Sequence, residues 1–259
     1  MTHATASGAN SFRLSDEVFI VGSGRSGLGI TDDYDCHVYL INGGETLGLI
    51  DAGGGYGEST AQILSNVRAA GFDPSRISML FLTHAHADHS GGARALQQHV
   101  GLTVCVSAVE ADLLRRGDED ALGLNIARTS GFAPADYRFQ GVQPDRELND
   151  GDELLVGSLQ LKTVWTPGHS RGSLCFLLHG KELTYLFSGD TLFVGGLISL
   201  LNCPGSSLDD YRRSMPKLEA LGIDALLPGH GGFCLRKGQS HIGRALEAFR
   251  GLSVPRSVF

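Results

Sequence analysis

The chain has 259 residues, 42% of them hydrophobic, and a formal net charge of −7. That much apolar sequence supports a sizeable core and excludes disorder by composition. The excess of Asp and Glu (28) over Lys and Arg (21) argues against a nucleic-acid partner.

Residues 1–14 carry no basic stretch followed by an apolar one, so they are read as a polar tail rather than a secretory signal. No low-complexity linker interrupts 15–259, which are expected to form one domain. No apolar run reaches the ~18 residues that span a bilayer, so we expect a cytoplasmic protein without a membrane partner. Glu17–Gly22, His37–Asn42 and Thr46–Asp51 read as strands, with Asn42-Gly43-Gly44 as a hairpin turn. Ser59–Ala70 reads as a helix with Ser59 as N-cap and Gly71 as its stop. The apolar run Ile77–Leu82 predicts a strand covered on both faces. A helix over Ala93–His99, a strand over Leu102–Ser107 and one or two helices within 108–132 follow. Strands are then predicted at Glu153–Val156, Leu159–Trp165, Ser173–Leu178, Leu183–Ser188 and Ala225–Pro228, and helices at Leu208–Leu221 and His241–Phe249. Two rounds of strands followed by helices imply two packed sheets with helices outside.

Cys36, Cys105, Cys175, Cys203 and Cys234 are odd in number and lack a C-x-x-C spacing, so they are expected as free thiols in a reducing compartment. Residues 22–27, GSGRSG, match a dinucleotide fingerprint in form. The sequence that follows ends in a strand instead of opening a helix, so a glycine-rich hairpin loop over the site edge is the better account. His3, His37, His99, His179 and His241 lack ligand partners in sequence and are read as structural or exposed. The pairs Arg115-Arg116 and Arg212-Arg213 are read as solvated helix faces, although a carboxylate on a substrate could use one. Phe193–Leu201 is read as core, or as an apolar flap over the substrate.

The chemistry concentrates in residues 83–92, THAHADHSGG. His84 and His86 lie two apart, so in an extended segment they reach one ion together. Asp88 and His89 fall where the chain is expected to enter a helix at Ser90, within reach of a second ion. Imidazole nitrogen and carboxylate oxygen are ligands for zinc and its neighbours. Burying such polar density without an ion would cost several kcal/mol. Downstream, three apolar strands each end in a turn with a ligand type: His169 in TVWTPGH, Asp190 in YLFSGD and His230 in LLPGH.

With these motifs the chain resembles the metallo-β-lactamase superfamily, and within it the glyoxalase II-like metallohydrolases, over residues 17–250. The resemblance implies an α+β fold, a four-layer αββα sandwich with the site at one edge of the two sheets. It implies two zinc ions per chain, with iron or manganese as alternatives. His84, His86 and His169 would hold the first, Asp88, His89 and His230 the second, and Asp190 would bridge them. Asp88 would also act as a catalytic residue that orients the water. The implied activity is hydrolysis of a small ester, thioester or lactone by a hydroxide on the dinuclear site. The alternatives are a mononuclear iron oxidoreductase of the persulfide-dioxygenase kind, using His84, His169 and Asp190, and an amide hydrolase of the β-lactamase type. A small-molecule substrate is expected as the partner, and a monomer or homodimer as the state.

Overall fold

The structure is a computed structural model that describes residues 10–258. Of the expected tail, residues 1–9 lie outside the described residues. Phe12–Arg13 form strand β1, with Phe12 in register with Ile20. The first sheet continues with β2 (Val18–Gly22), β3 (Val38–Asn42), β4 (Leu47–Ile50), β5 (Ile77–Phe81), β6 (Thr103–Ser107) and β7 (Arg146–Leu148), in that spatial order. Its first four strands run antiparallel and the rest are added in parallel. The second sheet comprises β8 (Glu153–Val156), β9 (Leu159–Trp165), β10 (Leu174–His179), β11 (Thr184–Gly189) and β12 (Ala225–Pro228), in the spatial order β12-β11-β10-β9-β8.

The period-two alternation of strand side chains sorts the apolar residues into layers. Tyr39, Ile41, Ile50 and Phe81 of the first sheet meet Leu161, Phe176, Tyr185 and Phe187 of the second in one buried cluster. The alternate residues Leu40, Leu49 and Leu80 face outward and pack beneath helices α1 (Ser59–Ala69) and α3 (Ala93–Val100) through Ile63, Val67 and Leu96. On the far side, Cys175, Leu186 and Leu226 are covered by α6 (Leu208–Ser214) and α7 (Gln239–Arg250) through Tyr211, Ile242 and Leu246. This is the expected αββα sandwich, and it explains why its central strands read as continuous apolar runs.

Two local expectations are corrected. Ser59 does not cap α1; Glu58 stands at the N-cap, and the Ser59 hydroxyl is taken by the buried Asp35 carboxylate at 2.8 and 2.9 Å. The helix expected over Leu208–Leu221 ends at Ser214 and tightens into a 3-10 turn, Met215–Leu218, because Pro216 lacks the N–H that would continue it. Within 108–132 two short helices form, α4 (Ala111–Arg116) and α5 (Leu124–Thr129). Among the described residues no helix is long and apolar enough to cross a membrane.

Candidate metal centre

The chemistry-bearing turns all leave the C-terminal ends of strands at one edge of the sandwich. β5 runs into Thr83–His89, β4 into Asp51, β9 towards His169, β11 into Asp190 and β12 into His230. His84 and His86 lie on extended backbone. The one-turn helix α2 (Ala87–Ser90) then follows, starting three residues earlier than the expected Ser90. Asp88 and His89 therefore sit on a helical turn and diverge from the two histidines before them.

The seven residues singled out by sequence converge here. His169 Nε2 lies 3.1 Å from His84 Nε2 and 2.8 Å from His86 Nδ1. His230 Nε2 lies 3.2 Å from His89 Nε2 and 3.1 Å from Asp88 Oδ2. Asp190 stands between the two groups, with Oδ1 3.4 Å from His89 Nε2 and Oδ2 3.7 Å from both His169 Nε2 and His230 Nε2. The sets His84–His86–His169 and Asp88–His89–His230 each offer one donor atom per residue to a common point.

The hydrogen-bond partners of these donors fit a cation. His169 Nδ1–H donates to the Ser199 carbonyl at 2.9 Å, so its Nε2 is a lone pair. The Thr83 hydroxyl donates to the Asp51 carboxylate and accepts from His84 Nδ1–H at 3.0 Å, so that Nε2 is also a lone pair. Two lone pairs facing each other in a dry interior are stable only with positive charge between them. Burial and neighbouring histidines push the pKa of His84 well below the usual range. Burial above all pulls His86 down and His169 to about 4, which keeps all three rings neutral at pH 7. Burial opposes ionisation of Asp190, yet His230 and His89 outweigh it and hold the carboxyl far below the usual range. Its Oδ1 is buried without a hydrogen bond. At His89 burial opposes charge, but Cys36 and the carboxylates of Asp88, Asp51 and Asp190 together raise its pKa well above 6.5. The pocket thus draws positive charge to this ring, as a proton or as an ion on Nε2.

Three residues outside the candidate ligand set hold the ligand turns. Asp51 accepts from Thr83 N–H at 2.8 Å and from His89 Nδ1–H at 2.9 Å, which fixes the His89 tautomer. Its own φ of 62° places it in the left-handed region, a strained position for a residue with a side chain. Glu110, at the start of α4, accepts from Ala85 N–H at 2.8 Å and Gly172 N–H at 2.9 Å, tying the His84–His86 segment to the loop after His169. His37, read as structural or exposed, is buried. Its backbone N–H bonds Gly229 O and its Nε2–H bonds Gly231 O at 2.9 Å, so it grips the chain on both sides of His230. Each of the three is isolated in sequence; the only signals were a carboxylate directly after a strand and one at a helix start. His3 lies outside the described residues.

A cavity of about 470 Å³ opens onto His86, Asp88, His169 and Asp190. Its wall is apolar, built from Leu122, Leu124, Ile126, Ala127 and Phe132, with Leu201 and Cys203 opposite in sequence. Of the segment 193–201, Phe193 and Ile198 are core, and Leu201 reaches the cavity. Arg115, Arg116, Arg212 and Arg213 pair with surface carboxylates; the cation that lines the cavity is Arg25.

Known proteins resemble this chain in sequence and in shape. Residues 31–230 match the sequence model of the metallo-beta-lactamase superfamily. The acyl-coenzyme A thioesterase MBLAC2 of Homo sapiens is 36% identical over 210 residues, covering 75% of this chain and 72% of that protein. The hydroxyacylglutathione hydrolase of Citrobacter koseri is 30% identical over 193 residues, covering 74% and 60%. Among solved structures, the subclass B3 metallo-beta-lactamase BJP-1 of Bradyrhizobium japonicum superposes with a TM-score of 0.68 at 26% identity, covering 92% of this chain and 89% of that one.

Proposed function

The chain belongs to the metallo-beta-lactamase superfamily and is a hydrolase of that fold, and from that premise we propose that it hydrolyses thioesters at a site for two divalent cations, zinc by preference. The observation that carries this reading is the pair of imidazole lone pairs, His84 Nε2 and His169 Nε2, facing each other 3.1 Å apart, with His169 lining an apolar cavity.

In this reading His84, His86 and His169 hold one ion, Asp88, His89 and His230 the other, and Asp190 lies between them. Divalent cations at such a site lower the pKa of a water molecule and polarise a substrate carbonyl. The chain's own residues supply the rest. Leu122, Leu124, Ile126 and Ala127 take the apolar acyl half and exclude bulk water, which strengthens every charge at the floor. Burial resists ionisation of Asp88, but His89 and His230 hold its pKa below the usual range, so it is a carboxylate at neutral pH. It orients the attacking water and accepts its proton. As the carbon–sulfur bond breaks, that proton passes to the departing thiolate, leaving a free thiol and a carboxylic acid, which releases its proton to solvent at neutral pH. Asp51 and the Ser199 carbonyl keep His89 and His169 in the ligating tautomer throughout.

Thioesters are favoured over other esters and lactones because the relatives above are named for thioester hydrolysis. The same names disfavour the iron-dependent oxidoreductase. Elemental analysis of protein purified without added metal, followed by assays on acyl-coenzyme A, acylglutathione, lactone and β-lactam substrates, tests the reading. About two zinc ions per chain and turnover highest on a thioester are expected. One iron per chain with oxygen uptake on a persulfide would overturn it.

A further inference from the structure

The glycine-rich run at 22–27 takes no part in the reaction just described, yet it is built against the site. A Cβ at Gly24 would stand 2.5 Å from Asp33 O, and one at Gly27 2.3 Å from His37 Cε1, so only glycine lets the loop close this tightly. Backbone bonds lock it: Gly24 N–H to Asp35 O, Arg25 N–H to Asp33 O and Gly27 N–H to Gly24 O. The Ser26 carbonyl accepts Gly231 N–H at 2.7 Å, which fastens the loop to the turn that carries His230.

What this rigid loop presents is Arg25. Its Nη2 donates to the carbonyls of Gly131 and Phe132, each at 3.0 Å, so the side chain is anchored to the segment that forms the cavity wall. Its Nε and Nη1 make no hydrogen bond to the described residues, and none of their carboxylates pairs with it. Among the described residues it is the one Lys or Arg lining the cavity, and it is exposed, which places it at the mouth. An oriented guanidinium whose Nε–H and Nη1–H remain free can give a charge-assisted hydrogen bond to a phosphate or carboxylate oxygen.

We propose that Arg25 binds an anionic group, phosphate or carboxylate, on the thiol half of the substrate, an inference that rests on the thioesterase reading above. The division of the cavity supports it: the apolar wall suits the acyl half, whereas an anion is costly to bury and stays at the exposed rim. The glycine-rich loop is then a mount for this guanidinium, and the selected substrates are thioesters of charged thiols.

The test compares wild type with Arg25→Gln on three thioesters of one acyl group, made from coenzyme A, glutathione and the neutral N-acetylcysteamine. The ratio of kcat/KM on a charged thioester to that on the neutral one should fall about tenfold in the variant, through KM, the size expected for one lost charge-assisted hydrogen bond. A fall confined to the coenzyme A thioester assigns a phosphate, and one confined to the glutathione thioester a carboxylate. Unchanged ratios overturn the proposal. Calorimetric titration with coenzyme A and with glutathione reads the same contact without turnover. If the wild type hydrolyses none of the three, the thioesterase reading fails, and equal affinities of wild type and variant for both thiols then overturn the role of Arg25 as well.

Discussion

The Glu110 carboxylate bonds main-chain N–H groups and no ligand side chain, yet the spacing of the ligands passes through it. Its buried carboxylate accepts one N–H from each of two ligand-bearing segments, at Ala85 and Gly172. Gly172 is there because a Cβ would stand 2.6 Å from Glu110 Cγ. Groups that orient metal ligands contribute roughly 10- to 100-fold to metal affinity. Glu110→Ala is therefore expected to weaken metal binding by about that factor, measured by competition with a chromophoric chelator on protein whose fold is checked by circular dichroism. Wild-type affinity in a folded variant would remove Glu110 from the site. His37 makes a prediction about pH. Burial pulls its pKa from 6.5 to about 4, against the bond to Gly231. The folded protein thus holds it neutral while the unfolded chain protonates near 6.5. The stability tied to it is fully present above that pH and is lost as pH falls through about 4, on the order of 3 kcal/mol in all. In urea denaturation, the gap between wild type and His37→Asn should shrink as pH falls from 7.5 to 4.5. The histidines of the site titrate in both proteins and cancel. A gap that stays constant would show that His37 is not held neutral.

At the scale of elements, α6 props the site from outside. Tyr211 stands under the turn before His169, and its hydroxyl lies 3.1 Å from the carbonyls of both Asp190 and Ser199. Gly168 has φ +151°, and a Cβ there would meet the Tyr211 ring at 2.4 Å. Gly168→Ala must displace either the ring or His169. A loss of about 1–3 kcal/mol is expected from overpacking, read by thermal denaturation of metal-free protein, and a wild-type melting temperature would contradict it. The same contrast explains what could be read from sequence. Strands β2 to β6 and β8 to β12 were legible as short apolar runs, and the central ones are covered on both faces. The seven candidate ligands were legible because four sit within six residues and the other three each end a strand. β7 was missed because Arg146 and Glu147 are exposed on an edge and carry no apolar pattern. The end of the helix at Ser214 was missed because Pro216 was passed over in a helical pattern. Asp51, Glu110 and Arg25 act through partners 25 to 107 residues away, and such pairings leave no local trace.

At the scale of the whole molecule, the donors are divided between the two sheets. The first supplies His84, His86, Asp88 and His89, and the second His169, Asp190 and His230. Each proposed ion takes donors from both, so metal bound there cross-links the sandwich at its open edge, where the lone pairs of His84 and His169 otherwise repel. A ligand that binds the folded state alone, at a free concentration a hundredfold above its Kd, adds about 2.7 kcal/mol. For a chain of this size that corresponds to a melting temperature roughly 5–10 °C higher. Removal of metal with a chelator should lower the melting temperature by about that much, and zinc should restore it. His169→Ala isolates the cross-link, because it leaves the first sheet's donors intact and removes the second sheet's histidine from one set. Its response to zinc should fall to about half or less of the wild-type shift. A full shift in that variant would mean that His169 holds no ion, and its place in the two-sheet site would have to be abandoned.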